Sequence, residues 1–308
     1  MAFSGLKRIV AGLALAGALA VSGAQAADKV VVASKIDTEG AVLGNIIVLL
    51  LEQAGVPVEN KVSLGVTKIV RGALIAGEID IYPEYTGNAG FFFSVPEDPA
   101  WSNFDAGYKK AAELDLAANK LVWLTPAPAN NTWVIAVRSE IATEAKLVSL
   151  EDFGKWVSGG AKVKLAGSAE FVESPAALPA FQKAYGFKLT NDQLLVLSGG
   201  DTAATIKAAA EQTSGVNAAM AYGTDGALAA LGLTALTDPK GVQPVYAPAP
   251  VVRAATLEKF PAIATALEPA FKTLTLETLQ KLNAAVALDG IDAKTVAKDY
   301  LTKAGLLK

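Results

Sequence analysis

Short apolar runs alternate with segments of helical apolar spacing along the first part of the chain. Three runs have the length and continuity of buried strands: residues 29–34, 62–64 and 79–82. Between them, apolar residues recur at helical spacing over 42–51 and 67–76, and glycines at 55 and 77 are placed to end these helices. The resulting β-α-β-α-β order predicts a parallel sheet with helices on both faces.

The same alternation continues to the end of the chain. Further strands are predicted at 121–124, 133–137, 163–166, 194–197, 218–222 and 251–253. Further helices are predicted at 104–119, 149–156, 179–185, 202–212, 257–274, 278–287 and 293–304. The fold class is therefore α/β.

Two proline-rich breaks, at 125–132 and 242–250, interrupt this pattern. We interpret them as two crossings between lobes. The predicted lobes are 27–132 plus 247–308, and 133–246. A chain of this length suits two modest α/β lobes better than one core.

The N-terminus has the pattern of a secretory signal peptide. Lys7 and Arg8 precede an uncharged apolar run over 9–21, and Ala24-Gln25-Ala26 fits a small-x-small cleavage site. The run is short for a membrane span, although an uncleaved anchor is the alternative. We expect residues 1–26 to be removed and the protein to be free in the periplasm.

Composition excludes several classes of function. The chain contains neither cysteine nor histidine, which rules out disulfides, Cys/His zinc sites and Ser-His-Asp triads. No pair of carboxylates has acid/base spacing, so we expect no enzyme, no metal and no cofactor. The formal net charge of −3 becomes −5 when Lys7 and Arg8 are removed with the leader, which disfavours nucleic acid as a partner.

Four aromatic residues stand at strand ends or breaks: Tyr85, Trp133, Tyr222 and Tyr246. Ligands of open α/β sheets bind at the carboxyl ends of strands. If the lobes face each other, these rings converge on one cleft and can enclose a quaternary ammonium through cation–π contacts. Ordinary packing within each lobe is the alternative.

Polar residues near these aromatics are candidates for the other end of a ligand. Lys35 follows the first strand, near the N-terminus of the next helix, where an anion is also favoured. A solvated surface lysine is the alternative. Residues 130–132 can donate or accept hydrogen bonds, or can serve as turn residues. Residues 37–39 are expected to cap the helix that follows.

The chain resembles the substrate-binding proteins of osmoprotectant ABC importers, the glycine betaine/choline/carnitine-binding family. The resemblance covers nearly all of 29–307 and is strongest in five stretches: 33–39, 77–87, 130–133, 221–226 and 246–252. The Pro-Glu-Tyr-Thr-Gly run that starts at Pro83 and the later Thr-Asp-Gly that starts at Thr224 are fairly specific together. The resemblance implies a two-lobed, type II-like periplasmic binding protein fold, with two crossings and a ligand cleft that closes by a hinge.

The resemblance also implies roles for individual residues. Tyr85, Tyr222 and Tyr246 match cage tyrosines of the family, and Trp133 stands where a tyrosine is more common. Lys35 matches a lysine that contacts the ligand carboxylate.

Three further positions depart from the family's pattern. Asn88 stands where threonine is usual and is expected to donate to the ligand carboxylate. Asn131 stands where some members have aspartate and is expected to help hold the polar end. Some members carry an arginine near 171–173, where this chain has Glu173.

These observations predict a monomeric periplasmic protein that captures a quaternary ammonium solute, such as glycine betaine or choline, and delivers it to a membrane permease. A binding protein for a different polar or amino-acid-like solute is the first alternative. A periplasmic enzyme on the same fold is the second.

Overall fold

The computed structural model describes residues 1–2, 29–197 and 202–308. The predicted leader, residues 1–26, lies outside the described residues apart from Met1 and Ala2. Within the part of the chain that the structure describes, no helix is both long and apolar enough to cross a membrane.

The described residues form ten strands and fourteen α-helices. The strands are β1 (Val30–Lys35), β2 (Val58–Gly65), β3 (Ile81–Tyr85), β4 (Leu121–Trp123), β5 (Trp133–Arg138), β6 (Leu165–Ser168), β7 (Leu194–Leu197), β8 (Ala218–Tyr222), β9 (Leu233–Ala235) and β10 (Pro248–Arg253). The helices are α1 (Thr38–Gln53), α2 (Thr67–Ala76), α3 (Asn88–Phe92), α4 (Phe104–Asn119), α5 (Ser139–Glu144), α6 (Leu150–Ser158), α7 (Ala169–Glu173), α8 (Leu178–Tyr185), α9 (Thr202–Ala210), α10 (Ala227–Ala230), α11 (Ala254–Lys259), α12 (Ala262–Thr273), α13 (Leu276–Ala287) and α14 (Ala293–Lys303).

The strands form two five-stranded sheets of the same topology. The orders are β2-β1-β3-β10-β4 in the first sheet and β7-β6-β8-β5-β9 in the second. In each sheet the first three strands are parallel. The fourth strand pairs antiparallel with the third, and the fifth pairs antiparallel with the fourth. The chain enters the second sheet through β5 and returns to the first through β10, which agrees with the two predicted crossings.

Helix α1 anchors the first sheet. Most of its apolar residues are buried, packed against β1 and against the C-terminal helices α12, α13 and α14. The carboxylate of Asp37 accepts a hydrogen bond from the backbone N–H of Gly40 and caps the helix. Gly55, just beyond its end, has a φ of 75°, a left-handed conformation that glycine adopts readily. Burial of α1 thus fixes the position of the residues at its N-terminus.

Several element boundaries differ from the sequence-based predictions. Strand β3 begins at Ile81 and includes Tyr85, and β10 begins three residues earlier than expected, at Pro248. The single helix expected over 257–274 is two helices, because the chain breaks at Pro261. Sequence patterns also missed the short elements α3, α5, α7, α10 and β9, whose few residues carry too little periodicity to detect.

Candidate ligand-binding site

The predicted aromatic residues lie where parallel strands end and crossing strands begin. Tyr85, the last residue of β3, is opposite Pro248 of β10. Tyr222, the last residue of β8, is opposite Trp133, the first residue of β5. The two lobes therefore present tyrosines at equivalent positions, each beside the start of a crossing strand.

Ring contacts organise the aromatic group of the second lobe. The rings of Trp133 and Tyr222 are stacked, with centroids 6.4 Å apart and an interplanar angle of 14°. The buried ring of Phe171, in the middle of α7, meets Trp133 edge-on, with ring centroids 5.8 Å apart. Because Phe171 supports it, the indole of Trp133 is held in one orientation.

Tyr246 lies between Gly87 of the first lobe and Tyr222 of the second. Its half-buried ring packs so closely on Gly87 that a Cβ atom at that position would lie 2.8 Å from ring atom Cε1. Its backbone N–H donates to the side-chain oxygen of Asn130 at 2.8 Å. Burial raises the pKa of Tyr246, and the neighbouring Tyr222 and Glu84 add to the rise. The ring is therefore near residues of both lobes.

Lys35 forms a buried ion pair. Its Nζ lies 2.6 Å from Oε1 of Glu84, and the two side chains are 8% and 0% exposed. The same Nζ lies 4.6 Å from the ring centroid of Tyr85. The solvated surface lysine considered above is therefore wrong, while contact between Lys35 and a ligand carboxylate stays a prediction.

Glu84 accepts three further hydrogen bonds. The hydroxyl of Tyr82 donates at 2.6 Å, the backbone N–H of Tyr85 at 2.7 Å and Nδ2 of Asn88 at 2.8 Å. Asn88 and Lys35 thus bind the same carboxylate. Contact between Asn88 and the polar end of a ligand stays a prediction. One amide N–H of Asn88 is used by Glu84, and the side chain is only partly buried.

A second buried carboxylate, Glu39, was missed by sequence reasoning. Helix capping was expected of residues 37–39, but only Asp37 supplies the cap, and Glu39 points inward with 4% exposure. Its Oε1 accepts from the hydroxyl of Tyr85 at 2.9 Å and from Nδ2 of Asn131 at 3.0 Å, and its Oε2 accepts from Nδ2 of Asn283 at 2.8 Å.

The electrostatic setting of Glu39 is unusual for a buried acid. It forms no ion pair with any residue in the described ranges. Burial raises the pKa of Glu39, and hydrogen bonds from the side chains of Thr224, Asn283 and Tyr85 oppose that rise. Lys35 is paired with Glu84, so Glu39 is the carboxyl group of this cluster that has no cationic partner among the described residues.

Asn131 is fixed from two sides. Its backbone N–H donates to the carbonyl oxygen of Tyr246 at 3.0 Å, and its side-chain amide donates to Glu39. Its buried Oδ1 has no hydrogen-bond partner among the described residues, and the same is true of Oδ1 of Asn283. Asn131 therefore offers an acceptor where sequence reasoning expected it to meet the polar end of a ligand.

The seven predicted site residues thus form two groups, and one residue, Tyr246, lies between the groups. Lys35, Tyr85, Asn88 and Asn131 belong to one group around two buried carboxylates. Trp133 and Tyr222 form the other, and Tyr246 lies between them. Glu173, which stands where some members of the resembled family have arginine, is exposed at the end of α7. No cluster of metal-ligating side chains occurs in the part of the chain that the structure describes.

A signal for one of the two buried carboxylates, Glu84, was present in the sequence. Alternation along β3 places Tyr82 and Glu84 on the same face, and both are fully buried. Glu39, two residues after the cap Asp37, gave no such signal, because a charged residue at the start of a helix is usually exposed. The partner Asn283, 244 positions away from Glu39, gave no local signal.

Two α/β sheets of equal topology, with aromatic and polar side chains gathered at the ends of their strands, define a two-lobed solute-binding protein. The chain belongs to the family of substrate-binding domains of ABC-type glycine betaine transport systems, which matches residues 28–303. Members of this family bind small-molecule solutes and work with the permeases of ABC importers.

Curated relatives and solved structures agree with this assignment. The chain is 62% identical over 284 residues to the glycine betaine-binding protein YehZ of Escherichia coli. This match covers 92% of this chain and 93% of that protein. The structure of apo YehZ superposes with a TM-score of 0.81, over 91% of this chain and 100% of the other.

Two more distant relatives are each 29% identical. One is a glycine-betaine-binding protein of Pseudomonas aeruginosa, matched over 98% of this chain and 96% of the relative. The other is the ergothioneine transport permease/ergothioneine binding protein EgtU of Helicobacter pylori, matched over 90% of this chain and 48% of the relative.

Proposed function

We propose that this protein captures glycine betaine, or a related quaternary ammonium solute such as choline, by closing its two lobes around an aromatic cage. Tyr85, Trp133, Tyr222 and Tyr246 form the cage in this proposal. The observation that carries it is the placement of these four rings at the ends of the paired strands, next to a cluster of buried charge.

The chemistry of the cage suits a trimethylammonium group. Such a group offers no N–H donor, is weakly hydrated, and is attracted to the faces of aromatic rings by about 0.5–2 kcal/mol per contact. Several contacts of this size are compatible with micromolar affinity, about −8 kcal/mol. The names of three relatives support the same class, since ergothioneine is itself a betaine.

The polar groups suit the remainder of the solute. Lys35 uses one of its three N–H donors for Glu84, so others are free to meet a carboxylate, and Asn88 lies beside it. Asn131 completes the proposed site. In its ionised form, the carboxyl group of Glu39 favours a ligand that carries a positive charge.

The setting of the protein is part of the proposal. We expect a cleavable signal peptide over residues 1–26, a periplasmic location and a monomer that docks on the permease of an ABC importer. The proposed mechanism is hinge closure, in which ligand shifts the population toward the closed form because it makes contacts with both lobes. Solute binding without turnover is expected.

Calorimetry with residues 27–308 tests the proposal. Glycine betaine, choline, carnitine, ergothioneine and proline form the panel, and each is first screened by thermal shift. A ligand at 100 times its Kd stabilises the fold by about 2.7 kcal/mol. Binding of a trimethylammonium compound that is lost in Tyr222→Ala supports the cage. Binding of proline alone, with no response to any quaternary amine, would overturn it and favour a different solute.

A further inference from the structure

The carboxylate of Glu39 connects three separate parts of the chain. Tyr85 lies at the end of β3, Asn131 lies in the first crossing, and Asn283 lies on α13 near the C-terminus. All three donate to the same buried carboxylate. Hydrogen bonds to a carboxyl group have strict geometry, so Glu39 sets the relative position of these three segments.

Asn283 extends this connection to the second sheet. Its Nδ2 donates to Oε2 of Glu39 at 2.8 Å and also to the carbonyl oxygen of Thr224 at 2.9 Å. Thr224 is 1% exposed and follows Tyr222 by two residues. One amide group therefore bridges the carboxylate beside Tyr85 and the backbone beside Tyr222.

The surrounding packing holds α13 against the same segment of the second lobe. Gln280 Nε2 donates to the carbonyl oxygen of Gly223 at 2.8 Å. A Cβ atom at Gly226 would lie 2.0 Å from the backbone oxygen of Gln280, so the start of α10 lies directly on α13. Helix α13 thus packs against α1 of the first lobe and also contacts the loop that follows β8.

We propose that Glu39 is a positioning residue that fixes the two cage tyrosines relative to each other, Tyr85 directly and Tyr222 through Asn283 and Thr224. This inference rests on the proposed function for the identity of the ligand, but the coupling between lobes is a property of the free protein. Glu39 does not need to touch the ligand, because it acts on the cage through its hydrogen-bond partners.

Glu39→Gln separates this role from simple occupation of space. The substitution keeps the size of the side chain but replaces one acceptor oxygen with an NH2 donor, which then faces a donor from Asn131 or Asn283. If Asn283 rotates its amide to accept, its Nδ2 no longer reaches the carbonyl oxygen of Thr224. If the NH2 group instead faces Asn131, the link from Glu39 to the first crossing is lost, so one of the connections through Glu39 is broken in either arrangement.

The chain has no cysteine, so two introduced cysteines can be spin-labelled specifically. Glu113→Cys on α4 and Lys155→Cys on α6 are exposed positions on the two lobes. Double electron–electron resonance then measures the distance distribution between the lobes in the folded, ligand-free protein. The matched control is Glu52→Gln, the same substitution at an exposed position of the same helix.

We expect Glu39→Gln to broaden the ligand-free distance distribution and to weaken glycine betaine binding about tenfold, whereas Glu52→Gln changes neither. An unchanged distribution in folded Glu39→Gln would overturn the proposal. If glycine betaine fails to bind the unmodified protein, the proposed function fails, but the ligand-free comparison still decides the coupling.

A second variant protects the test against a failure to fold. Asn283→Leu is close to isosteric and removes the amide bridge without altering the carboxylate. If circular dichroism shows that Glu39→Gln is not folded, the test uses Asn283→Leu, for which we also expect a broadened distance distribution. A distribution identical to that of the unmodified protein would refute the proposal.

Discussion

Replacing Lys35 by methionine tests the buried charge cluster most directly. Methionine keeps most of the length of the side chain, being one atom shorter, and removes its charge. In the native cluster, Lys35 lies 2.6 Å from Glu84, whose side chain is fully buried. Three donors remain to Glu84 after the change, from Tyr82, the backbone of Tyr85, and Asn88.

The size of the effect follows from this geometry. Breaking a buried ion pair by removal of one partner costs about 3–5 kcal/mol, because the other charge stays buried without compensation. The three remaining hydrogen bonds to Glu84 place the expected loss at the lower end, about 3 kcal/mol. For a lobe of 150–250 residues, 1 kcal/mol corresponds to about 2–4 °C in Tm, so the transition should fall by about 6–12 °C.

Differential scanning calorimetry is the appropriate assay, because two lobes can unfold in separate transitions. The decrease should affect the transition of the lobe that contains the first sheet. Lys68→Met, at an exposed position of α2, is the control and should change the free energy of unfolding by less than about 0.5 kcal/mol. Adding Glu84→Gln to the methionine variant should recover part of the loss, since it removes the unpaired charge.

Two results would refute this reasoning. A loss below about 1 kcal/mol would mean that Glu84 does not depend on Lys35 for its burial. Strict additivity of Lys35→Met and Glu84→Gln would mean that the two side chains are not coupled, whatever their separation.

The cage makes two further predictions, each read by calorimetry with glycine betaine. Trp133→Leu should weaken binding about 2- to 30-fold, the equivalent of one cation–π contact. The control is Trp156→Leu, on α6. Equal effects of the two substitutions on affinity would contradict the assignment of Trp133 to the cage. Gly87→Ala should weaken binding about tenfold, because a methyl group there must displace the ring of Tyr246, at an overpacking cost of about 1–3 kcal/mol. The control is Gly72→Ala, which should leave affinity unchanged because a Cβ atom at position 72 meets no atom within 4 Å. Unaltered affinity in Gly87→Ala would show that the ring of Tyr246 takes no part in the cage.

The sequence was sufficient for the order of the main elements, because long periodic segments carry a strong signal. Helix α1 and helix α4 were predicted within a few residues, and each begins at a side-chain cap. The aromatic candidates were also accessible, since each stands beside a strand end that glycine or proline makes visible. Their contact with a ligand stays a prediction.

What the sequence did not give is the set of interactions between distant segments. Nothing near Glu39 indicates that its partner is Asn283, 244 positions away, or that Lys35 pairs with Glu84. The charge of Glu39 also argued for a helix end in water, whereas burial of α1 carries it inward. Such pairings depend on packing between elements, and local patterns contain no information about it.

The position of β10 in the first sheet has a consequence for the order in which the protein folds. All five strands of the second sheet lie between Trp133 and Ala235, so that sheet can form as soon as this continuous segment is available. Strand β4 is joined to the first sheet only through β10, which ends at Arg253. The N-terminal half therefore waits for a strand synthesised more than a hundred residues later, and the high contact order of that step makes it slow. A nascent chain that ends before Pro248 should hold a folded second lobe and an open first sheet.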